Sequence, residues 1–217
     1  MTNYNIEIRD NFQTMKNIVL TITLLFDDIK YFKTSPENER KIASEYRFLW
    51  RIYSSLYINL ILDFYKIFDD SESYSLKKLL NKIKNNIKRI KWASQPDILT
   101  IDSEINNIDK LLNSEIFKKV KTARNKYYAH LDPKRPPKIE IKLDELKSLL
   151  EFAQGIINQI YGWLEEKHQS FGFSDTDIGH YMIKDLYKYN LIRHEIYRNI
   201  EHDSETSINK IIDILRG

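Results

Sequence analysis

The chain has 217 residues, with 34 Lys and Arg against 31 Asp and Glu and a formal net charge of +3. Its 42% apolar and 30% charged residues exclude a wholly disordered chain. The absence of cysteine from the sequence excludes a disulfide scaffold, a thiolate zinc site and a cysteine nucleophile, and it fits a reducing cytoplasm.

Two long helices are predicted in the first third of the chain. The first covers residues 10–33, and the second begins at Ser35-Pro36, a favourable cap and first helical position, and ends near Phe68. The second is apolar on most sides and is predicted to be the most buried helix. An apolar stripe at alternating spacings of four and three marks the first: Met15, Val19, Ile22, Phe26 and Ile29.

No segment predicts a membrane span or a secretory signal. The apolar stretches are either well under the ~20 residues that cross a bilayer or are interrupted by charged residues. The N-terminus mixes acidic and basic residues and lacks a basic flank followed by an apolar core. We therefore expect a cytoplasmic protein with no membrane contact.

Two basic segments stand out on an otherwise acidic chain. Residues 73–96 hold seven Lys and Arg and no acid, and residues 118–138 hold eight with one acid, which leaves −11 for the rest. Such segments can form a surface for an anionic ligand, or they can be ordinary solvated helix faces. Both interpretations stay open for the first segment, whereas the second also contains Arg and His in a tight arrangement.

Two further helices are predicted in the middle of the chain. Ser75 caps a short basic helix, residues 92–100 form a loop, and a helix runs from about 103 to 130 with an interruption near Asn113-Ser114. That helix ends at Leu131-Asp132-Pro133, because proline disfavours helix in the residue before it. The short helix has an apolar face: Leu76, Leu79, Leu80, Ile83, Ile87 and Ile90.

The last third of the chain is also predicted to be helical. Charged and apolar residues alternate over 138–142, which predicts a short strand or an extended link. Asp144 is predicted to cap a helix that runs to about Lys167, and further helices are predicted near 175–189 and 207–215. With only five glycines and five prolines, the chain is predicted to be all-α, an antiparallel helical bundle with extra terminal helices. Its predicted divisions are an N-terminal helical extension (1–35), the bundle (36–168) and a C-terminal appendage (169–217).

The residues with the most chemistry lie between positions 122 and 135. His130 can take and give a proton near neutral pH, Arg124 carries a planar fork of donors suited to phosphate, and Asn125 offers a donor and an acceptor. Six α-helical residues turn by about 600°, so Arg124 and His130 are predicted about 120° apart on the helix. Two copies about a twofold axis would bring two such pairs into one cleft for a phosphodiester. A structural alternative is that Arg and His satisfy the last carbonyls of the helix.

The motif Arg124-Asn125-x-x-x-x-His130 resembles the signature of the HEPN superfamily, in which Arg precedes His by four to six residues near the end of a helix. The string RNKYYAHLDP, its extended link and the helix beginning Leu143-Asp144-Glu145-Leu146 resemble the abortive-infection AbiU-like branch. The upstream string LILDFYKIFD, at residues 60–69, is similar to the long helix of that branch. The resemblance spans about residues 46–164.

The resemblance implies a metal-independent endoribonuclease that acts as a toxin or antiphage effector, as a homodimer, with no cofactor. His130 is then the base or acid, Arg124 the phosphate clamp, and Asn125 orients the phosphate or His130. Asp132 orients His130 or caps the chain end, and Asp69 is a weaker candidate for a supporting carboxylate. Flanking RNA contacts fall to Lys121, Lys126, Tyr127, Lys134 and Arg135, with Tyr128 a second stacking candidate.

Two other functions stay open: a non-catalytic HEPN-like module that binds a nucleotide or a protein, and a protein that binds nucleic acid without cutting it. An antitoxin or another regulatory protein is a further expected partner. A metal site is not predicted, because His168, His180, His194 and His202 have no spacing typical of a zinc site.

Overall fold

The computed structural model describes residues 3–37, 40, 46–128, 139–171 and 185–193, and within these ranges it contains helices and no strand. The predicted all-α class is confirmed. In chain order the helices are α1 (Asn3–Thr34), α2 (Arg47–Phe68), α3 (Leu76–Asn85), α4 (Ile98–Leu112), α5 (Glu115–Ala123) and α6 (Leu143–Glu165), with a π-helical turn at Arg124–Tyr128 directly after α5. Residues 185–193 are also helical.

Contacts divide the chain into two compact units whose boundaries fall inside α1 and α2. The first unit contains Met1–Asp27 and Ser55–Gly172, and the second contains Asp28–Ser54 and Phe173–Gly217. The predicted domain boundaries near residues 35 and 168 stay predictions.

In the first unit, α1 packs along α6. The rings of Phe12 and Tyr161 lie 5.5 Å apart, and the Gln154 amide donates to the Thr23 hydroxyl at 3.0 Å. The stripe predicted for α1 is buried at all five positions: Met15, Val19, Ile22, Phe26 and Ile29. The predicted apolar face of α3 is buried as well, including Ile87 and Ile90 in the turns that follow the helix.

The core around the end of α2 is aromatic. Phe68 is fully buried, and its ring lies 6.5 Å from Phe64, 6.2 Å from Phe117 on α5 and 6.0 Å from Phe152 on α6. Tyr65 stacks on Phe117 at 6.3 Å. This cluster fixes the end of α2 against α5 and therefore sets the position of the turn that begins at Arg124.

The predicted helix 36–68 is not continuous. Tyr46 is non-helical, and its carbonyl accepts a hydrogen bond from the Trp50 N–H at 3.2 Å, as a residue that precedes a helix does. The prediction of burial holds at Leu49 and from Leu60 onward, but it is wrong for Phe48, which is 67% exposed, and for Trp50, which is 55% exposed. In the second unit, Tyr53 contacts the rings of Phe32 and Trp50.

Local capping chemistry sets the middle helices. Ser75 accepts from the Lys78 N–H and Ser114 from the Phe117 N–H, which confirms the predicted cap and the predicted interruption. The predicted start of α4 at residue 103 is wrong, because Asp97 accepts from the Leu99 N–H and begins the helix five residues earlier.

The start and inner face of α6 also differ from prediction. The cap position is Lys142, not Asp144, because the Lys142 N–H donates to the Glu145 carboxylate at 2.7 Å. Residues 139–142 form neither helix nor strand, and Lys142 has an extended backbone. Leu164 is buried, whereas Trp163 is half-buried. The predicted end of the preceding helix and the predicted helix at 207–215 lie outside the described residues.

Candidate functional site

Arg124 opens a π-helical turn that continues α5. The turn covers Arg124–Tyr128, and α5 is anchored beneath it by the buried side chains of Phe117, Val120 and Ala123. A π-helical turn hydrogen-bonds five residues along the chain and is frequent at functional sites. The helix is thus widened where the chemistry-bearing motif begins.

Three neighbours hold the Arg124 guanidinium. Its carbon lies 4.5 Å from the centre of the Tyr65 ring, its Nη1 donates to Asn125 Oδ1 at 2.9 Å, and its Nη2 lies 3.6 Å from Glu72 Oε1. The Arg124 side chain is still 30% exposed. An arginine that is stacked, hydrogen-bonded and solvent-accessible is pre-organised to bind an external anion.

Asp69 ends α2 beside this cation. It is 6% exposed and accepts hydrogen bonds from the Ser71 N–H at 2.9 Å and from the Ser71 hydroxyl, while Lys121 Nζ lies 3.5 Å from its second oxygen. Burial acts to raise the pKa of Asp69, but the Ser71 hydrogen bonds, the Lys121 charge and the Tyr65 hydroxyl outweigh it and hold the pKa below its usual range. Asp69 is therefore a carboxylate that links Tyr65, the turn at Ser71 and α5.

The family model HEPN_AbiU2, described as AbiU2, matches residues 6–181. The chain belongs to the HEPN family AbiU2. The match begins forty residues before the stretch that carries the sequence motifs, so it includes most of α1. No curated protein and no solved structure matches this chain.

The AbiU2 match includes the predicted site residues, but the structure describes only some of them. Arg124 and Asn125 are in direct contact, and Lys126 is half-buried in the same turn. Lys121 pairs with Asp69, so one of the predicted RNA contacts is engaged with a carboxylate of its own chain. The structure describes the backbone of Tyr127 and Tyr128 but not their side chains. The remaining predicted residues lie outside the described part of the chain: His130, Asp132, Lys134 and Arg135.

Sequence reasoning missed Tyr65 and Glu72 as neighbours of Arg124. Both lie near the end of α2, more than fifty residues before Arg124, and only tertiary packing brings them to it. The predicted 120° between Arg124 and His130 assumes α-helical geometry, which residues 124–128 do not follow, and His130 itself lies outside the described residues.

The described ranges of this AbiU2 chain contain neither a candidate membrane span nor a candidate metal cluster. None of the helices there has the length and apolar character to cross a bilayer. Within the same ranges, no group of three or more His, Cys, Asp and Glu side chains is placed to hold a metal ion.

Replacing Asp69 with asparagine is expected to lower the free energy of unfolding by about 1–2 kcal/mol at pH 7, because the hydrogen bonds to a charged acceptor are lost. Because the folded-state pKa is below the ~3.9 of an unfolded chain, the contribution of Asp69 is full above that pH. It is lost as the pH falls through the folded-state pKa. Urea unfolding at pH 7 and pH 3 measures the difference, which should shrink at pH 3.

The exposed Asp10 on α1 supplies the matched control. Asp10→Asn is expected to change the free energy of unfolding by less than about 0.5 kcal/mol at either pH. A pH-independent loss in Asp69→Asn would contradict the interpretation of Asp69 as a stabilising carboxylate.

Proposed function

We propose that this AbiU2-family chain is a metal-independent endoribonuclease that acts as a toxin or abortive-infection effector. The supporting observation is the Arg124 guanidinium, which is held against Tyr65 and Asn125 yet stays 30% exposed. RNA supplies its own nucleophile, the ribose 2′-hydroxyl. The protein needs to deprotonate that hydroxyl, stabilise the phosphorane and protonate the leaving 5′-oxygen.

The proposed roles follow the chemistry of each side chain. His130 moves the proton, Arg124 binds the phosphate oxygens as their charge grows, and Asn125, already bonded to Arg124, keeps the guanidinium plane oriented. The flanking phosphates fall to the remaining cations of the segment: Lys126, Lys134 and Arg135. The expected products are a 2′,3′-cyclic phosphate and a 5′-hydroxyl end.

A homodimer completes this proposal. Two copies of the motif about a twofold axis would place both Arg124 and both His130 side chains around one phosphodiester. A second subunit also offers a surface on which an antitoxin or another regulatory protein can block the cleft. Mixing equal amounts of an Arg124→Ala chain and a His130→Ala chain tests the shared cleft, because about half of the dimers are then heterodimers whose cleft keeps one Arg124 and one His130 side chain.

Expression of wild type, Arg124→Ala and His130→Ala tests the proposal. Wild type is expected to arrest growth and degrade RNA, and each variant is expected to lose cleavage by at least about a hundredfold, as when a proton-transfer group or a charge-stabilising donor is removed. Gel analysis of total RNA and mapping of the product ends are the measurements. Matched controls are Arg51→Ala, an exposed arginine on α2, and His168→Ala, an exposed histidine after α6.

Each alternative function has its own outcome in the same experiment. Equal behaviour of wild type and both variants would favour a non-catalytic binding module. RNA binding that Arg124→Ala weakens, without cleavage by wild type, would favour a nucleic-acid-binding protein. A 3′-hydroxyl product, or activity abolished by EDTA, would contradict the 2′-hydroxyl mechanism.

A further inference from the structure

The lysines of α3 divide into two groups with different partners. Lys77 pairs with Asp109 on α4 and with Asp70, and Lys84 pairs with Asp102 on α4. The hydrogen bonds to Asp109 and Asp70 also raise the pKa of Lys77. The side of α3 toward α4 is therefore neutralised, which removes it as a surface for an anionic ligand.

The other side of α3, toward α1, keeps more of its positive charge. Lys78 Nζ donates to the backbone carbonyl of Glu72, which is a neutral acceptor, so the ammonium charge is not cancelled there. Lys82 pairs with Glu7 of α1 at 2.9 Å, but both side chains are about half exposed, and such a pair is weak and screened by salt. The basic character predicted for residues 73–96 is thus concentrated on this side.

A pocket of about 210 Å³ opens on this side, within the first unit. It is smaller than the ~300–1,000 Å³ of sites for drug-sized ligands, so it suits one flat ring system. Met15 and Leu79 give it an apolar wall, and Tyr74, 47% exposed, stands at its edge. The polar lining is rich in amides and lysines: Asn11, Asn81, Asn85, Lys78 and Lys82.

The amides of the pocket are available to a ligand. Within residues 3–37, 46–128 and 139–171, the half-buried side chains of Asn11 and Asn81 have no hydrogen-bond partner. Each amide offers two donors and an acceptor, which is the combination that reads the edge of a nucleobase. An exposed tyrosine ring supplies a stacking surface for a base, and lysines supply the contact to its phosphate.

The pocket and the Arg124 site share one loop. Glu72 contacts Arg124, and the next three residues, Ser73, Tyr74 and Ser75, line the pocket. We propose that this pocket binds one nucleobase of the RNA that is bound at Arg124, and that it gives the cleavage its base preference. This inference rests on the proposed function, because it assigns part of the same substrate.

Calorimetric titration of the full chain with each of the four ribonucleoside 5′-monophosphates tests whether the pocket binds a base, and it requires no cleavage. We expect affinities that differ at least about fivefold among the four bases. Tyr74→Ala and Asn81→Ala should each weaken the preferred nucleotide at least about fivefold. Asn106→Ala, an exposed asparagine on α4, and Tyr189→Ala, an exposed tyrosine of the second unit, should leave binding unchanged.

The outcomes separate this inference from the proposed function. Three outcomes would contradict the assignment of this pocket as a base-binding site: equal affinity for all four nucleotides, no binding, or equal losses of affinity in the control variants. Base-selective binding in a chain that never cuts RNA would support the pocket and overturn the nuclease. Cleavage with a base preference that Asn81→Ala leaves intact would overturn the pocket alone.

Discussion

Replacing Arg124 with lysine is expected to lower the rate of RNA cleavage by about a hundredfold or more, although the positive charge is kept. Lysine has no planar fork of donors, so it cannot bind two phosphate oxygens in the bidentate geometry of arginine. Its ammonium also cannot replace the guanidinium plane that stacks on Tyr65 and is oriented by a hydrogen bond to Asn125. Losing one pre-organised donor to a transition-state oxygen costs this much in other phosphoryl and acyl transfers. Single-turnover cleavage of a labelled RNA is the measurement.

Arg51→Lys, on the exposed surface of α2, is the matched control and should keep the wild-type rate. Thermal melts of both variants check that the fold is intact. If Arg124→Lys cleaved within about threefold of wild type, a point charge would suffice and the role of the planar guanidinium would be contradicted.

The Phe68→Ala variant is expected to lose about 3–5 kcal/mol in the free energy of unfolding, the largest stability effect we predict. Phe68 is fully buried and contacts aromatic rings from α2, α5 and α6, so truncation leaves a cavity that these neighbours cannot fill. The same cavity lies beneath Tyr65 and Phe117, which set the position of the Arg124 turn. Urea unfolding at neutral pH measures the loss.

Phe48→Ala removes the same number of atoms from a side chain that is 67% exposed. Its free energy of unfolding is expected to stay within about 0.5 kcal/mol of wild type. A loss in Phe68→Ala no larger than that in Phe48→Ala would show that the aromatic cluster does not hold α2 against α5.

Periodicity and capping residues were sufficient to predict most of the fold. The stripe on α1 and the face on α3 are buried where their spacing predicts, because a helix of 3.6 residues per turn presents these positions on one side. The errors fall at boundaries. Asp97 starts α4 five residues before the predicted start, and the non-helical Tyr46 interrupts the single helix predicted for residues 36–68.

The candidate site was predictable only in part. Arg124 and Asn125 are adjacent in the sequence, so their contact follows from the motif, whereas the contacts of Arg124 with Tyr65 and Glu72 depend on how α5 packs on α2. Charge counting also overstated the first basic segment, because Asp102 and Asp109 lie on another helix that the count did not include. Residue composition within a segment does not reveal neutralisation across helices.

The winding of the chain at residues 124–128 bears on how a spacing in a motif should be interpreted. Each turn of a π-helix takes in more residues than an α-helical turn of 3.6, so it can absorb an inserted residue without moving the ends of the segment by a full step. A turn of this kind is compatible with the HEPN signature, in which Arg precedes His by four to six residues. A change in the number of residues between two motif positions then need not change their separation in space.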